Sequence, residues 1–435
     1  MRWFLGTMLL LLAALVLGSG LLAYSMYVML GLLILTRLLT QSWIANLTAS
    51  RQCEQTTAEI GDTLAIRVLI RNTGWQLVPW ILIEDMLPAK ALAESRSRLK
   101  VKKGRFKIAM LRPHGTSRLN YEIEFKMRGY YQVGPLVLET GDLFGLHRRY
   151  RVGTEPHFVL VYPRVVPLEG YDVASRRLTG EVVMTHRLFE DPTRIAGVRQ
   201  YELGDPLSRV HWRATARTGQ LQSKIYEPST IQGATILLDF HLAGYDQLRE
   251  PQRSELAVTA AASLAHALYE MGQQVGLATN GRDAADRIRL EGWQHDFRTR
   301  RAALASAAMR DESERLQPLV VITRRGLEQF QRILETLARV ELTDGLSFPQ
   351  FVLETASRLP RDATIIAILG EAGEETAQAL ANLRRQGYAV TAVLVVFEAH
   401  ALELATVRLL AEGIDVRHLT NEAELPGLCR RQMVR

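Results

Sequence analysis

The 435-residue chain is 47% hydrophobic and 23% charged, with a formal net charge of +7 and two cysteines. That balance excludes a disordered chain and one that is membrane throughout, and it leaves room for two or three domains with cores of their own. The positive charge is spread along the chain instead of being gathered with aromatics, which argues against a nucleic-acid binder, and Cys53 and Cys429 are too far apart in sequence to suggest a disulfide framework or a metal-ligand spacing.

Residues 3–36 carry no charge. A single helix of that length would extend about 51 Å at ~1.5 Å per residue, well beyond a hydrocarbon core of ~30 Å. Gly18-Ser19-Gly20 interrupts the run. The segment 1–45 therefore predicts a transmembrane helical hairpin, with helices at about 3–17 and 21–40. Trp3 and Trp43 then fall at one interface, and Tyr24 and Tyr27 lie near the other. Arg2, Arg37 and Arg51 share the Trp side, so the positive-inside rule places both ends and everything after residue 45 in the cytoplasm. A cleaved signal peptide is the competing reading. In that case residues 21–40 still cross, and the bulk of the chain stays on the same side.

Residues 46–160 predict a β-sandwich, immunoglobulin-like in its short strands and turn spacing. In "TLAIRVLIRN", Leu64, Ile66, Val68 and Ile70 alternate with Thr63, Ala65, Arg67 and, less cleanly, Leu69, before the stop at Asn72-Thr73-Gly74. "VPWILIEDML", "FKIAML" and "RLNYEIEF" follow as strands, with "RPHG" and "RGYYQVGP" read as turn-rich connections. Residues 161–232 read as a linker that carries one short helix. From 233 the period changes: "ATILLDF" is a continuous apolar strand of the kind buried on both faces. A helix at about 253–271 follows, striped by Leu256, Ala260, Leu264 and Leu268, then the strand "QVGLATNG". "PLVVIT", "ATIIAILG", a helix near 373–386, "YAVTAVLVV", a helix near 399–412 and "IDVRHL" complete a Rossmann-like α/β domain over 233–435, with a mainly parallel sheet. The whole is a multidomain α+β chain.

An α/β sheet directs the search for chemistry to the carboxyl ends of its strands. No G-x-G-x-x-G follows a strand, and there is no Walker lysine loop, G-x-S-x-G elbow or H-E-x-x-H, so no cofactor or catalytic set is expected. Gly370 and Gly373 read as a helix start, and His266 as a half-exposed helix residue. Asp239 ends the first buried strand, where a carboxylate is placed to hold Mg²⁺, yet the residues two and four further on are His241 and Ala243, which supply no hydroxyl. Metal binding and a hydrolase built on Asp239 are the two chemical alternatives.

The stretch from Arg199 to Leu221, "RQYELGDPLSRVHWRATARTGQL", predicts a short helix. Asp205 is its expected N-cap, Pro206 its first residue and Gly219 its stop. Leu207, Val210 and Ala214 share one side, and Arg209, Arg213 and Arg217 recur every four residues on the next. Together with Tyr201, Gly204, Trp212 and Ala216, these residues carry a resemblance to the bacterial domain-of-unknown-function 58 family, whose signature runs Arg/Tyr–Gly-Asp-Pro–Trp–Ala-Arg. "GPLVLETGDLFGL", where family members more often have Asp-Pro-Phe-Gly, and "VYPRVVPL" extend it.

The resemblance implies a membrane protein with a von Willebrand factor A-like domain, associated with MoxR-type AAA+ ATPases and often with transglutaminase-like membrane proteins. The adhesion-site motif of such domains, Asp-x-Ser-x-Ser, is incomplete here at His241 and Ala243. The expectation is a non-enzymatic scaffold or adaptor in the bacterial inner membrane, working in envelope-related assembly or stress. The short helix is expected to dock at the domain junction with Trp212 as a wedge. Its arginines are left to pair either with acidic groups of the chain or with a partner surface or anionic ligand.

Overall fold

The computed structural model describes residues 2–53, 55–92, 97–169, 190–201, 210–228, 233–245, 249–286, 317–360 and 364–428. These form a mixed α+β chain that groups into two units. One comprises Met1–Arg164, Gly281–Leu316 and Leu334–Gly345; the other comprises Val165–Asn280, Gln317–Ile333 and Leu346–Arg435.

The first unit begins with two apolar helices, α1 (Arg2–Val16) and α2 (Gly20–Ala45), which pack on each other and bury Ala14, Ala23 and Leu33. Of the two, α2 is long and apolar enough to cross a membrane, and α1 is the shorter apolar partner. The second helix runs beyond the expected end at residue 40 because its last turns belong to a protein core. Trp43 is buried in the sandwich core instead of standing at a membrane interface, and Thr40 is fully buried. Arg151 Nη1 donates to the carbonyls of Ile44, Ala45 and Leu47, capping the C-terminal end of the helix.

Eleven strands follow: β1 (Leu47–Gln52), β2 (Thr57–Glu59), β3 (Thr63–Asn72), β4 (Val78–Asp85), β5 (Leu99–Lys102), β6 (Phe106–Leu111), β7 (Thr116–Phe125), β8 (Gly129–Val133), β9 (Leu136–Gly141), β10 (Arg148–Thr154) and β11 (His157–Tyr162). They form antiparallel sheets ordered β1-β3-β7-β5 and β10-β9-β4-β6, and a third sheet β2-β11-β8. Along β3 the alternation is complete, with Leu64, Ile66, Val68 and Ile70 in the core beside Ile81, Ile83, Tyr121 and Phe125. "GYYQV", expected as a turn, is instead β8. Two tyrosines in the run favour a strand, and β8 pairs with β11, which the local turn signals do not reveal. Inside this core Arg51 forms a short ion pair with Asp85, whose carboxylate also accepts from the Tyr121 hydroxyl at 2.7 Å. Burial and the Asp85 charge hold that hydroxyl protonated, above the usual tyrosine range.

The second unit contains an antiparallel pair, β12 (Glu190–Gln200) and β13 (Gln222–Pro228), with helix α3 (Trp212–Thr218) between them in sequence. Its larger part is a six-stranded sheet. The strands are β14 (Gly233–Leu238), β15 (Gln274–Thr279), β16 (Leu319–Arg324), β17 (Thr364–Leu369), β18 (Val390–Leu394) and β19 (Asp415–His418), in the order β16-β15-β14-β17-β18-β19. All neighbours are parallel except the β15–β16 edge pair. The helices are α4 (Gln252–Glu270), α5 (Leu327–Arg339, of which the residues up to Ile333 belong to this unit), α6 (Phe348–Thr355), α7 (Glu374–Arg385) and α8 (Ala399–Ala411). β14 is buried along its whole length, as a strand covered on both faces must be. Leu256, Ala260, Leu264 and Leu268 of α4 are all buried.

Candidate functional site at the carboxyl edge of the parallel sheet

In this strand order the first strand, β14, lies inside the sheet. Its neighbour β15 follows in one direction and β17, β18 and β19 in the other. The order in which the chain lays down its parallel strands therefore reverses between β14 and β17, the point in such a sheet where ligand sites are built. Asp239 stands there, immediately after β14. Its carboxylate Oδ1 accepts from Asn280 Nδ2 at 2.8 Å and from the His241 backbone N–H at 3.3 Å, and its own carbonyl accepts from the Tyr245 hydroxyl at 2.7 Å. Burial outweighs these donors and pushes the Asp239 carboxyl up to about 6.

Asn280, unnoticed in the sequence, ends β15 as Asp239 ends β14. It also accepts from the Phe240 N–H at 2.6 Å and donates to the Leu346 carbonyl at 2.9 Å. One side chain thus ties three loops together. Its terminal position in "QVGLATNG" was the available signal.

A cavity of about 350 Å³, lined by Ala243 and Gly244 of the loop that follows Asp239 but not by Asp239 itself, is bounded by the loops after β14, β17 and β18 and by α8. Arg249, Arg253 and Arg408 line it, with Glu371 and Glu398 opposing part of their charge. Arg253 is buried and held by two carbonyls: Nε donates to Val395 at 2.6 Å and Nη2 makes a short bond to Gly370. Arg249 lies over the Phe397 ring at 5.7 Å, and Arg408 Nη1 reaches the Ala372 carbonyl at 3.4 Å. No Ser, Thr, Cys or His is among the described residues lining the cavity. A carboxylate or phosphate group is the chemistry that these guanidinium groups recognise.

The residues at Asp239 do not fit a divalent cation. Where the adhesion motif needs hydroxyls, His241 Nδ1 accepts from the Ala243 N–H at 3.2 Å and Ala243 has no donor atom to offer. Among the described residues no three His, Cys, Asp or Glu side chains gather as a metal site. Gly373 is the N-cap of α7, and His266 is half-exposed, 3.7 Å from Glu270.

The signature stretch lies elsewhere in this unit. Gly204, Asp205, Pro206 and Arg209 fall outside the described residues. Arg199 is in β12, with Nη1 donating to the Gln200 carbonyl, and the Tyr201 N–H bonds to the Leu221 carbonyl. The expected helix from Asp205 is corrected. Val210 pairs with Ser223 as an isolated strand bridge, and the His211 N–H bonds to Gln222. The helix starts only at Trp212, capped by His211 Nδ1 accepting from the Ala214 N–H at 3.0 Å, and Gly219 closes it with a left-handed φ of 71°.

None of its residues is buried, and Trp212, expected as a wedge, is 68% exposed. Arg213 and Arg217 are exposed too, with no acidic partner among the described residues.

Residues 197–339 match the family described as "Protein of unknown function DUF58". Over 252 residues the chain is 27% identical to the uncharacterized protein YeaD of Bacillus subtilis (strain 168), covering 57% of this chain and 59% of that relative, less than two thirds of its length. Among solved structures, the CARDB domain of the PF1109 protein from Pyrococcus furiosus is 12% identical, with a TM-score of 0.19, covering 26% of this chain and 86% of that one. Proximal thread matrix protein 1 from the mussel byssus is 12% identical, with a TM-score of 0.29, covering 46% of each chain. No functional reading rests on these two likenesses.

Proposed function

We propose that this chain, whose residues 197–339 match the DUF58 family, is a membrane-anchored, non-enzymatic scaffold that presents the α3 hairpin to a protein partner. The observation that carries the reading is the surface of α3. Trp212 stands exposed at its first turn, with Arg213 and Arg217 exposed beside it, inside the family-matched segment. Exposed Trp with Arg is the composition of energetic centres in protein–protein interfaces. A MoxR-type AAA+ ATPase is the proposed partner, with a transglutaminase-like membrane protein as a further component. The proposed setting is the bacterial inner membrane, with both apolar helices spanning and the remaining chain cytoplasmic.

The test is affinity capture of the full chain from crosslinked detergent extract. The parent should bring down an AAA+ ATPase, and Trp212→Ala and Arg213→Ala should lose it while the melting temperature changes by no more than a degree or two. No ATPase with the parent, or full capture by both variants, overturns the reading.

A second reading is a von Willebrand A-like ligand-binding module at the carboxyl edge of the sheet, favoured by the arginine-lined cavity and by the position of the first strand. Its ligand would be anionic. Hydrolysis by Asp239 has less support, because Asp239 is buried and does not line the cavity, and no Ser, Thr, Cys or His does so among the described residues.

A further inference from the structure

The turn joining β9 to β10, "GDLFGLHR", has no role in either reading. It carries two large apolar side chains at its tip, Leu143 at 76% and Phe144 at 65% exposure. The turn is not loose. The buried Asp142 accepts at Oδ1 from the backbone N–H groups of Phe144 (2.8 Å) and Leu146 (3.0 Å), and at Oδ2 from that of His147 (2.5 Å). The Asp142 N–H in turn bonds to the His147 carbonyl at 3.1 Å, and Gly145 supplies a φ of 73°. One carboxylate therefore fixes the turn so that its two apolar residues project.

Its position is set by α2. His147 Nδ1 lies 3.3 Å from Thr36 Oγ1 on that helix. Thr36 is nine residues before Ala45, about 14 Å along the axis at ~1.5 Å per residue. The last turns of α2, with Leu39, Trp43 and Ile44, pack into the sandwich core, so a membrane-crossing part of α2 lies N-terminal of them, toward the stretch that the turn contacts at Thr36. At that level Ile34, Leu35 and Leu38 of α2 are exposed apolar side chains, and Arg37 is exposed beside them. Arg148, which closes the turn, has a largely exposed side chain, with one guanidinium nitrogen 3.4 Å from the Glu139 carboxylate. An apolar tip followed by cations, alongside an apolar helix, has the profile of a bilayer interface: acyl chains for the tip and phosphates for the arginines.

We propose that Leu143 and Phe144 form a rigid wedge that inserts into the acyl–headgroup boundary beside α2, seating the β-sandwich against the lipid surface. The occupant is lipid because the turn that bears the apolar tip contacts α2 at Thr36, among the exposed Ile34, Leu35 and Leu38, and cations flank both: Arg37 on the helix and Arg148 at the end of the turn. The proposal rests on α2 being the membrane span.

The full chain carrying Cys53→Ser and Cys429→Ser is reconstituted in vesicles of phosphatidylethanolamine and phosphatidylglycerol. A nitroxide is placed by Phe144→Cys or, as the reference, by Leu35→Cys. Collision with oxygen, which concentrates in lipid, is compared with collision with a water-soluble nickel chelate. Oxygen-favoured accessibility at both positions is the expected result. Oxygen at 35 with nickel at 144 overturns the wedge and leaves the span. Nickel at 35 overturns the span and the wedge with it. A label at 144 shielded from both reagents also overturns the proposal, since protein then covers the tip.

Discussion

Asp239 is a carboxylate whose environment argues with itself. Two hydrogen bonds favour its charge, burial opposes it more strongly, and the group titrates at about 6 instead of its ordinary 3.8. Because the folded value lies above the unfolded one, the folded state holds the proton more tightly. The stability this group contributes is present in full below pH 4 and is lost as pH rises through about 6. The loss is on the order of 3 kcal/mol for a shift of this size, at 1.36 kcal/mol per unit. Asp239→Asn cannot ionise, so its stability relative to the parent should climb between pH 4 and 6.5 and stay level above pH 7. Denaturant titrations of both chains across that range check it. A difference independent of pH would mean that Asp239 is not the titrating group.

Among elements, the loops beyond β14 and β17 meet with almost no space between them. A Cβ added at Gly370 would stand 2.4 Å from the Gly244 carbonyl oxygen and 3.1 Å from the Tyr245 ring. Backbone oxygen cannot swing aside as a flexible side chain can. Gly370→Ala should therefore force the two loops apart and cost about 1–3 kcal/mol, the usual range for overpacking. The same movement should disturb Arg253, which is held by the Gly370 carbonyl. Equilibrium unfolding in urea reads the loss; a variant as stable as the parent would show that the loops are more yielding than this packing implies.

Ligand linkage belongs to the whole molecule, since anything that binds the folded chain alone raises its stability by RT ln(1 + [L]/Kd). Asp239 offers one carboxylate, and the hydroxyls of an adhesion-type cation site are replaced by His241 and Ala243. Millimolar Mg²⁺ or Mn²⁺ should therefore leave the melting temperature of the full chain unchanged. A rise of several degrees would show that the carboxyl edge does gather a cation site.

What could be read along the chain was whatever neighbouring residues decide among themselves. The alternation of Leu64, Ile66, Val68 and Ile70 is imposed by a strand half in the core, and the unbroken apolar run of β14 by burial on both faces. The two apolar N-terminal helices, broken near Gly18, follow equally from local composition. Helix α5 is legible too, in the helical spacing of Phe330, Ile333 and Leu337, all of them buried. Asp239 was found because it ends a strand, and strand ends are where such sheets place their chemistry.

Tertiary structure decided the rest, because those outcomes depend on groups distant in sequence. Val210 joined a strand bridge instead of a helix once Ser223 lay beside it, so Asp205 lost its expected place as the cap of α3. Trp43 left the membrane interface for the sandwich core because α2 packs against β9 and β10. Asn280 meets Asp239 across 41 residues, and Arg249, Arg253 and Arg408 converge on one cavity. Periodicity reports which face of an element is apolar. Which other element covers that face, and which polar groups arrive with it, is settled only when the strands take their order in the sheet.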